Sequence, residues 1–238
     1  FYYTTCGWMM WNWLISSLAI GSTIILFDGS PFYPNNDTLW ALIDKYKITH
    51  FGISPKYLDS SKSFKISPKL SYDLDSLKVI FSTGSPLRGE NFDYVYQEVK
   101  DNVRLSSISG GTDIISCFVL GNPQLPVYRD EIQSIGLGMD VQSINSEKKS
   151  VKNIEGELIC AKPFPSMPIS FWEDKNNKKY FESYFNKFPD VWYHGDFITI
   201  YDHGGVQIFG RSDTTLNPGG VRIGTSEIYD AINTIDGI

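Results

Sequence analysis

The alternation of helical and strand patterns along the first half of the chain constrains its fold more than any other feature. Apolar residues with helical spacing occupy segments 10–20, 37–47, 55–61 and 89–100. Short apolar runs with strand character occupy segments 23–28, 49–53, 77–82 and 103–107. This alternation predicts an α/β fold with a mainly parallel sheet whose faces are covered by helices.

The pattern changes after about residue 130. Short strand-like runs at 132–136, 155–160, 191–200 and 205–210 are separated by clusters of Gly, Asn and Asp. Such spacing is typical of antiparallel hairpins. We therefore divide the chain into a parallel α/β part at 1–130 and a smaller antiparallel β-subdomain with a hinge region at 131–238, where a helical pattern covers 225–235. The Ser-, Lys- and Pro-rich stretch at 60–73 predicts an exposed loop.

Residues 1–27 carry no charged side chain and are numerous enough to span a bilayer. Polar residues interrupt this stretch, and Gly21 separates a helical segment from a β-branched run. A buried helix followed by a buried strand is the preferred interpretation, and a membrane anchor is the alternative. The chain has no initiator Met and opens with a core-like segment, so we expect it to begin inside a domain.

Charge and cysteine content exclude several classes of protein. A net charge of −6 and a pI near 5.1 provide no general attraction to nucleic acid or to a membrane surface, so an anionic ligand needs a local site. Cys6, Cys117 and Cys160 are widely spaced and form no CxxC pair. This spacing argues against a disulfide framework and a zinc site, and it predicts a reducing, cytoplasmic compartment.

Two polar, glycine-rich segments follow predicted strands, where α/β sheets usually bind ligands. The first, at 82–86, is either a turn into a helix or a backbone wall at which Gly84 lets a flat ring approach. The second ends in Gly110, Gly111, Thr112 and Asp113. A Thr hydroxyl can bind a phosphate oxygen and a neighbouring carboxylate can hold Mg²⁺, although an ordinary turn uses the same residue types.

A third polar segment covers residues 192–227 and combines many glycines with fixed charges. Asp196 can accept hydrogen bonds from both hydroxyls of a ribose, and Arg211 and Arg222 can bind phosphate or ribose oxygens. The sequence contains no GxSxG elbow, no GxGxxG loop and no GxxxxGK[ST] loop. Among the histidines, His50 is expected to be a core residue beside a strand, and His203 a turn residue.

The order and spacing of these segments resemble those of the adenylate-forming superfamily, which includes acyl-CoA synthetases, luciferases and the adenylation domains of peptide synthetases. Residues 193–196 resemble its Tyr-x-Thr/Ser-Gly-Asp motif, with His194 in place of a small hydroxyl residue. Residues 210–213 resemble its Gly-Arg-x-Asp hinge, and residues 220–227 its Gly-x-Arg-x-Gly…Glu stretch. Residues 110–113 stand where Tyr-Gly-x-Thr-Glu is typical, so Asp113 replaces a Glu.

Within that superfamily, residues 4–12, 109–113 and 216–225 look most like the synthetases that activate acetoacetate. Acetate-activating members usually have an aromatic residue where Gly110 stands. The resemblance therefore implies room for a longer acid beside this glycine.

The resemblance implies that a carboxylate attacks the α-phosphate of ATP, and that coenzyme A then takes up the acyl group. Catalytic roles are implied for Thr112 at the α-phosphate, Asp113 as the Mg²⁺ ligand and Arg222 on the phosphate side. Nucleotide contacts are implied for Asp196 and Arg211 at the ribose, and for Gly84, Ser85, Pro86 and Gly111 at the adenine. The implied acyl pocket comprises Trp8, Met9, Met10, Thr83 and Gly110. Asp213 is the implied hinge for a C-terminal domain.

Two parts of the superfamily pattern are not found in this sequence: the Ser/Thr/Gly-rich phosphate loop ending in Lys, and the C-terminal domain with its lysine. We therefore expect residues 1–238 alone to be inactive. Another short- or medium-chain acyl-CoA synthetase and a non-catalytic nucleotide-binding module are the remaining alternatives. The sequence predicts small-molecule partners and leaves the oligomeric state open.

Overall fold

The computed structural model of the protein describes residues 1–213. The chain forms two compact units. The first contains Phe1–Thr83 and Leu87–Ser134, and the second contains Gly84–Pro86 together with the chain from Ile135 onward. The predicted helix at 225–235 and the residues around Arg222 lie outside the described part.

A parallel sheet forms the centre of the first unit. Its strands are β1 (His50–Ile53), β2 (Val79–Ser82) and β3 (Arg104–Ser107), in the order β1-β2-β3. Ile53 pairs with Ser82, and Ser82 pairs with Ser107, so the three strands end at the same edge. The predicted α/β fold with a parallel sheet is confirmed.

The helices of the first unit lie mostly at the predicted places. They are α1 (Met9–Ser16), α2 (Thr38–Tyr46), α3 (Pro55–Ser63), α4 (Pro68–Ser71) and α5 (Gly89–Tyr94), with a 3₁₀ turn at Ser17–Ile20 and a π-helical turn at Val95–Val99. Proline stands at the start of α3 and α4, where its missing N–H leaves no helical hydrogen bond unmade. Trp40 of α2 is fully buried against Phe51 of β1, and its indole N–H donates to Ser61 at 3.2 Å.

A second small sheet in the chain was not predicted. It consists of β4 (Ser109–Gly111), β5 (Ser116–Leu120) and β6 (Ser134–Ile135), in the order β4-β5-β6. The polar segment ending at Asp113 is therefore a strand and the turn of a hairpin. Glycines give β4 no hydrophobic periodicity, and this is why the sequence pattern did not reveal it.

The second unit contains the predicted antiparallel β-structure. Its strands are β7 (Val141–Ile144), β8 (Ser150–Val151), β9 (Gly156–Cys160), β10 (Trp192–Ile200) and β11 (Val206–Arg211), in the order β11-β10-β9-β7-β8. Helix α6 (Lys178–Tyr184), preceded by a 3₁₀ turn at Lys175–Asn177, was not predicted. Tyr184 stacks on Trp192 at a centroid distance of 3.7 Å, which anchors α6 to the start of β10.

Several predictions about the first unit were wrong. Residues 23–28 form no strand, since they join no ladder within residues 1–213, although Ile25 and Phe27 still pack on the core. The helix at 9–20 is not buried, since it buries only Met9 and Leu14 and leaves Ile20 84% exposed.

The predicted loop at 60–73 is partly helical, because α3 extends to Ser63 and α4 begins at Pro68. His50 is exposed rather than a core residue: it is the first residue of β1, and its ring stacks on Phe81 at the sheet surface. His203 lies in a turn, as predicted. In residues 1–213, no helix is both long enough and apolar enough to cross a bilayer.

The three cysteines are free thiols, and their burial predicts how they react. Cys6 is exposed, whereas Cys117 and Cys160 are each 1% exposed. Burial raises the pKa of Cys117 to about 12 and also raises the pKa of Cys160, so neither forms the nucleophilic thiolate near neutral pH.

We expect iodoacetamide followed by peptide mapping to find only Cys6 labelled in the native protein and all three after denaturation. Rapid native labelling of Cys117 would contradict this packing.

Candidate functional site

A buried ion-pair cluster forms where β10 and β11 run side by side in the second unit. Asp196 of β10 pairs in register with Arg211 of β11. The Arg211 guanidinium donates from Nη1 to Asp196 Oδ1 at 3.3 Å and from Nε to Asp213 Oδ1 at 3.1 Å, and its Nη2 also contacts Asp213 Oδ2. The side chains of Arg211 and Asp196 are 12% and 8% exposed. Two carboxylates therefore hold this cation in a fixed orientation.

Burial and the neighbouring carboxylates act in opposite directions on the charge of Arg211. Burial by itself lowers the pKa of the guanidinium, but the hydrogen bonds that it donates to Asp213 and the charges of Asp196 and Asp213 outweigh burial and raise the pKa above its ordinary value. Arg211 is consequently a permanent cation.

Gly195 makes this cluster geometrically possible. Its φ is +81°, a left-handed conformation that residues with a side chain rarely adopt. A Cβ atom there would lie 2.6 Å from Arg211 Nη2 and 2.8 Å from Asp213 Oδ2. The Gly195 carbonyl also accepts a hydrogen bond from the Ser212 amide at 2.8 Å. The left-handed backbone conformation and the ion pair between Arg211 and Asp213 therefore both require the glycine of the predicted ribose motif.

His194 brings an imidazole to the other side of Asp196. Its Nε2 lies 3.5 Å from Asp196 Oδ2, which is too long for a good hydrogen bond but close enough for the two groups to interact electrostatically. His194 is 5% exposed, as is Asp196. The two carboxylate oxygens of Asp196 therefore face different neighbours, Arg211 on one side and His194 on the other.

The segment Gly84–Pro86 belongs to the same compact unit as Asp196 and Arg211, although the surrounding chain belongs to the first unit. Gly84 has a φ of +104°, so a residue with a side chain would be strained there. Of the residues that the resemblance assigns to the adenine, Gly84, Ser85 and Pro86 belong to this unit and Gly111 belongs to the first unit.

In the first unit, the turn between β4 and β5 meets the start of α1. The Met9 amide donates to Thr112 Oγ1 at 3.1 Å, across 103 residues of sequence. Met9 is buried with Ile108 and Cys117, and Met10 packs against this cluster. Trp8 is 38% exposed. A residue assigned to the acid and a residue assigned to the phosphate are therefore direct neighbours.

At Gly110 the structure shows a backbone requirement for glycine, where the resemblance implies room for a longer acid. A Cβ atom at Gly110 would lie 2.1 Å from the Ser116 carbonyl oxygen and 2.6 Å from Cys117 Cα. The space beside this glycine is filled by the backbone of β5, where the pairing shifts register between Ser109 and Gly110. The hairpin requires a glycine there, so the residue by itself is no evidence of room for a longer acid.

Asp113 lies in the exposed turn after β4, next to Thr112. In residues 1–213 no group of three or more His, Cys, Asp or Glu side chains is placed to hold a metal ion. Mg²⁺ commonly uses one or two carboxylates and completes its shell with water and substrate phosphates. A single exposed carboxylate beside a Thr hydroxyl fits that mode of binding. Arg222, the third predicted catalytic residue, lies outside the described residues.

Four further side chains bond to one another beside Arg211 and Asp213. They are Glu157, Lys187, Tyr193 and Ser212, the last of which lies between Arg211 and Asp213 in the chain. Glu157 and Lys187 are not among the predicted site residues. No sequence signal could have identified them, because each lies outside the motifs and their contacts form only when β9, β10 and β11 pair.

Three comparisons relate this chain to known proteins. A model of the AMP-binding enzyme family matches residues 2–167. Acetoacetyl-coenzyme A synthetase of Rhizobium meliloti (strain 1021) is 53% identical over 99% of this chain and 36% of its own length. Acetoacetyl-CoA synthetase of Danio rerio is 52% identical over 99% of this chain and 35% of its own length. A solved structure, acetoacetyl-CoA synthetase from Streptomyces lividans, superposes with a TM-score of 0.84 at 41% identity, covering 100% of this chain and 37% of that chain. The chain thus spans about a third of the length of these relatives.

Proposed function

The chain belongs to the AMP-binding enzyme family, and on that premise we propose that its full-length protein activates acetoacetate with ATP and transfers it to coenzyme A. The observation that carries the proposal is 53% identity to an acetoacetyl-coenzyme A synthetase along 99% of this chain. Those relatives are nearly three times as long, so the activity is proposed for the full-length protein and not for residues 1–238 alone.

The cluster around Asp196 supports a ribose site. Asp196 offers carboxylate oxygens that accept hydrogen bonds from a pair of vicinal hydroxyls, and Arg211 is held beside it by two carboxylates. In this proposal Asp196 binds the ribose hydroxyls and Arg211 contacts the ribose. Gly84, Ser85, Pro86 and Gly111 line the adenine.

The hairpin turn supports a phosphate site. In this proposal Thr112 contacts the α-phosphate, Asp113 holds Mg²⁺, and Arg222 lies on the phosphate side. When bound, Mg²⁺ would neutralise charge on the phosphates of ATP. The Thr112 hydroxyl is already oriented by the Met9 amide, so its own O–H remains available to donate to a phosphate oxygen. The acid would lie near Trp8, Met9, Met10, Thr83 and Gly110.

The proposed chemistry needs no nucleophile from the protein. The acid's carboxylate attacks the α-phosphorus and pyrophosphate leaves, and the thiol of coenzyme A then displaces AMP from the acyl carbon. The residues named above bring the two reactants together and stabilise the negative charge that develops on the phosphate oxygens. Asp213 is proposed as the hinge between the two half-reactions.

A substrate panel tests the proposal. We expect pyrophosphate release by the full-length protein to be fastest with acetoacetate, with a kcat/KM at least about tenfold above those for acetate, butyrate and hexanoate. The acetoacetate carbonyl provides an acceptor that the alkyl acids lack, and a site built for that group discriminates against them. Preference for another acid would be consistent with the adenylation chemistry and would rule out acetoacetate as the preferred substrate. No release with any acid would favour a non-catalytic nucleotide-binding module.

A further inference from the structure

Four side chains outside the ribose site form a closed ring of hydrogen bonds. Lys187 Nζ lies 3.2 Å from Tyr193 Oη, and Tyr193 Oη lies 3.0 Å from Ser212 Oγ. Ser212 Oγ and Lys187 Nζ contact the two different carboxylate oxygens of Glu157. The Lys187 ammonium also lies 4.5 Å from the centroid of the Tyr193 ring.

The chemistry of the groups determines the direction of every bond in the ring. A carboxylate only accepts, so the Ser212 hydroxyl donates to Glu157. Ser212 then has no second proton, and the Tyr193 hydroxyl must donate to Ser212. Lys187 only donates, and it supplies both Tyr193 and Glu157. Each hydroxyl donates once and accepts once, an arrangement in which neighbouring bonds strengthen each other.

The position of Ser212 connects this ring to the nucleotide site. Ser212 stands between Arg211 and Asp213, which hold each other, and its amide is bonded to the Gly195 carbonyl. Glu157 lies on β9 and its side chain is 14% exposed, whereas the side chain of Lys187 is 45% exposed, so solvent screens the pair only from the lysine side. The ring ties the residue between Arg211 and Asp213 to the neighbouring strands.

We propose that Glu157 is a positioning residue for nucleotide binding, acting through Ser212 to hold Arg211 and Asp213 in place. This inference rests on the proposed nucleotide site. Both carboxylate oxygens of Glu157 are needed, because each accepts from a different donor. A glutamine has one acceptor oxygen and an NH₂ group, so one donor would face another donor and the ring would open.

The test compares AMP affinity in the full-length protein by calorimetry. We expect Glu157→Gln to weaken AMP binding by about tenfold and to raise the KM for ATP similarly, with the KM for the acid unchanged within about twofold. Glu147→Gln is the matched control, since Glu147 forms an exposed pair with Lys149 and should change neither value. The melting temperature of each variant separates lost positioning from lost folding.

A second variant tests the ring itself. Tyr193→Phe removes only the hydroxyl and should weaken AMP binding to a similar extent. The double variant should bind AMP no more weakly than whichever single variant has the lower AMP affinity, because either substitution alone already opens the ring. Unchanged AMP affinity in Glu157→Gln, or losses that multiply in the double variant, would overturn the inference. If the wild-type protein binds AMP but activates no acid, the proposed function is rejected, while the AMP affinities of the variants still test the role of the ring. Wild-type protein that binds no AMP would reject both.

Discussion

Replacing Asp196 with alanine is expected to lower acid-dependent pyrophosphate release by about 100-fold or more. The substitution removes the carboxylate proposed to accept both ribose hydroxyls, and it removes one of the two carboxylates that orient Arg211. Because both effects act on nucleotide placement, the loss should appear in kcat as well as in the KM for ATP. Steady-state pyrophosphate release by the full-length protein measures both.

Two further variants make this result interpretable. Asp196→Asn keeps the shape and one acceptor oxygen, so we expect a smaller loss than with alanine. Asp202→Ala removes an exposed aspartate from the turn between β10 and β11, where it contacts Asn153, and should leave activity within about twofold of wild type. Full activity in folded Asp196→Ala protein would reject the assignment of this cluster to the nucleotide.

Replacing Gly110 with alanine is expected to destabilise the protein by about 3 kcal/mol, at the upper end of ordinary overpacking. A Cβ atom at this position would meet backbone of β5, with the Ser116 oxygen 2.1 Å away, and backbone cannot rotate aside as a flexible side chain can. The β4–β5 hairpin should therefore distort, and Thr112 and Asp113 lie in its turn. Denaturant unfolding and kcat/KM with acetoacetate and acetate are the measurements.

The pattern of losses distinguishes two physical accounts of Gly110. If the hairpin requires the glycine, activity falls with every acid and the ratio of acetoacetate to acetate is unchanged. If the glycine opens a pocket, acetoacetate is lost and acetate is retained or improved. Gly7→Ala is the control, because a Cβ atom at Gly7 would meet no heavy atom within 4 Å. A stable Gly110→Ala protein that prefers acetate would contradict the hairpin account.

Local periodicity was sufficient to predict most of the elements. The apolar spacing of α2 and α3 and the short runs of β1, β2 and β3 predicted these elements to within a few residues, because each one buries its own apolar face. The run at 23–28 has an equally strong strand pattern but forms no strand. A strand needs a neighbour to complete its hydrogen bonds, and the pattern of one segment carries no information about whether a neighbour is available.

The candidate site, like the fold, could be predicted from the sequence only in part. The resemblance assigned Asp196 and Arg211 to the ribose and Asp213 to a hinge, and the structure brings these three side chains together. The role of each toward a nucleotide stays a prediction. The reason for Gly110 could not be derived from the motif, because it depends on how close the backbone of the partner strand comes.

The sequence by itself determined most of the helices and the central strands, because hydrophobic spacing is a local property, and it determined which polar residues follow those strands. Only the tertiary structure decided that Thr112 meets the start of α1, that Gly110 is confined by β5, and that Glu157 and Lys187 join Tyr193 and Ser212 in a ring. The physical reason is common to all three. Each contact depends on how separate segments pair and pack against one another, and the local periodicity of one segment does not encode that arrangement.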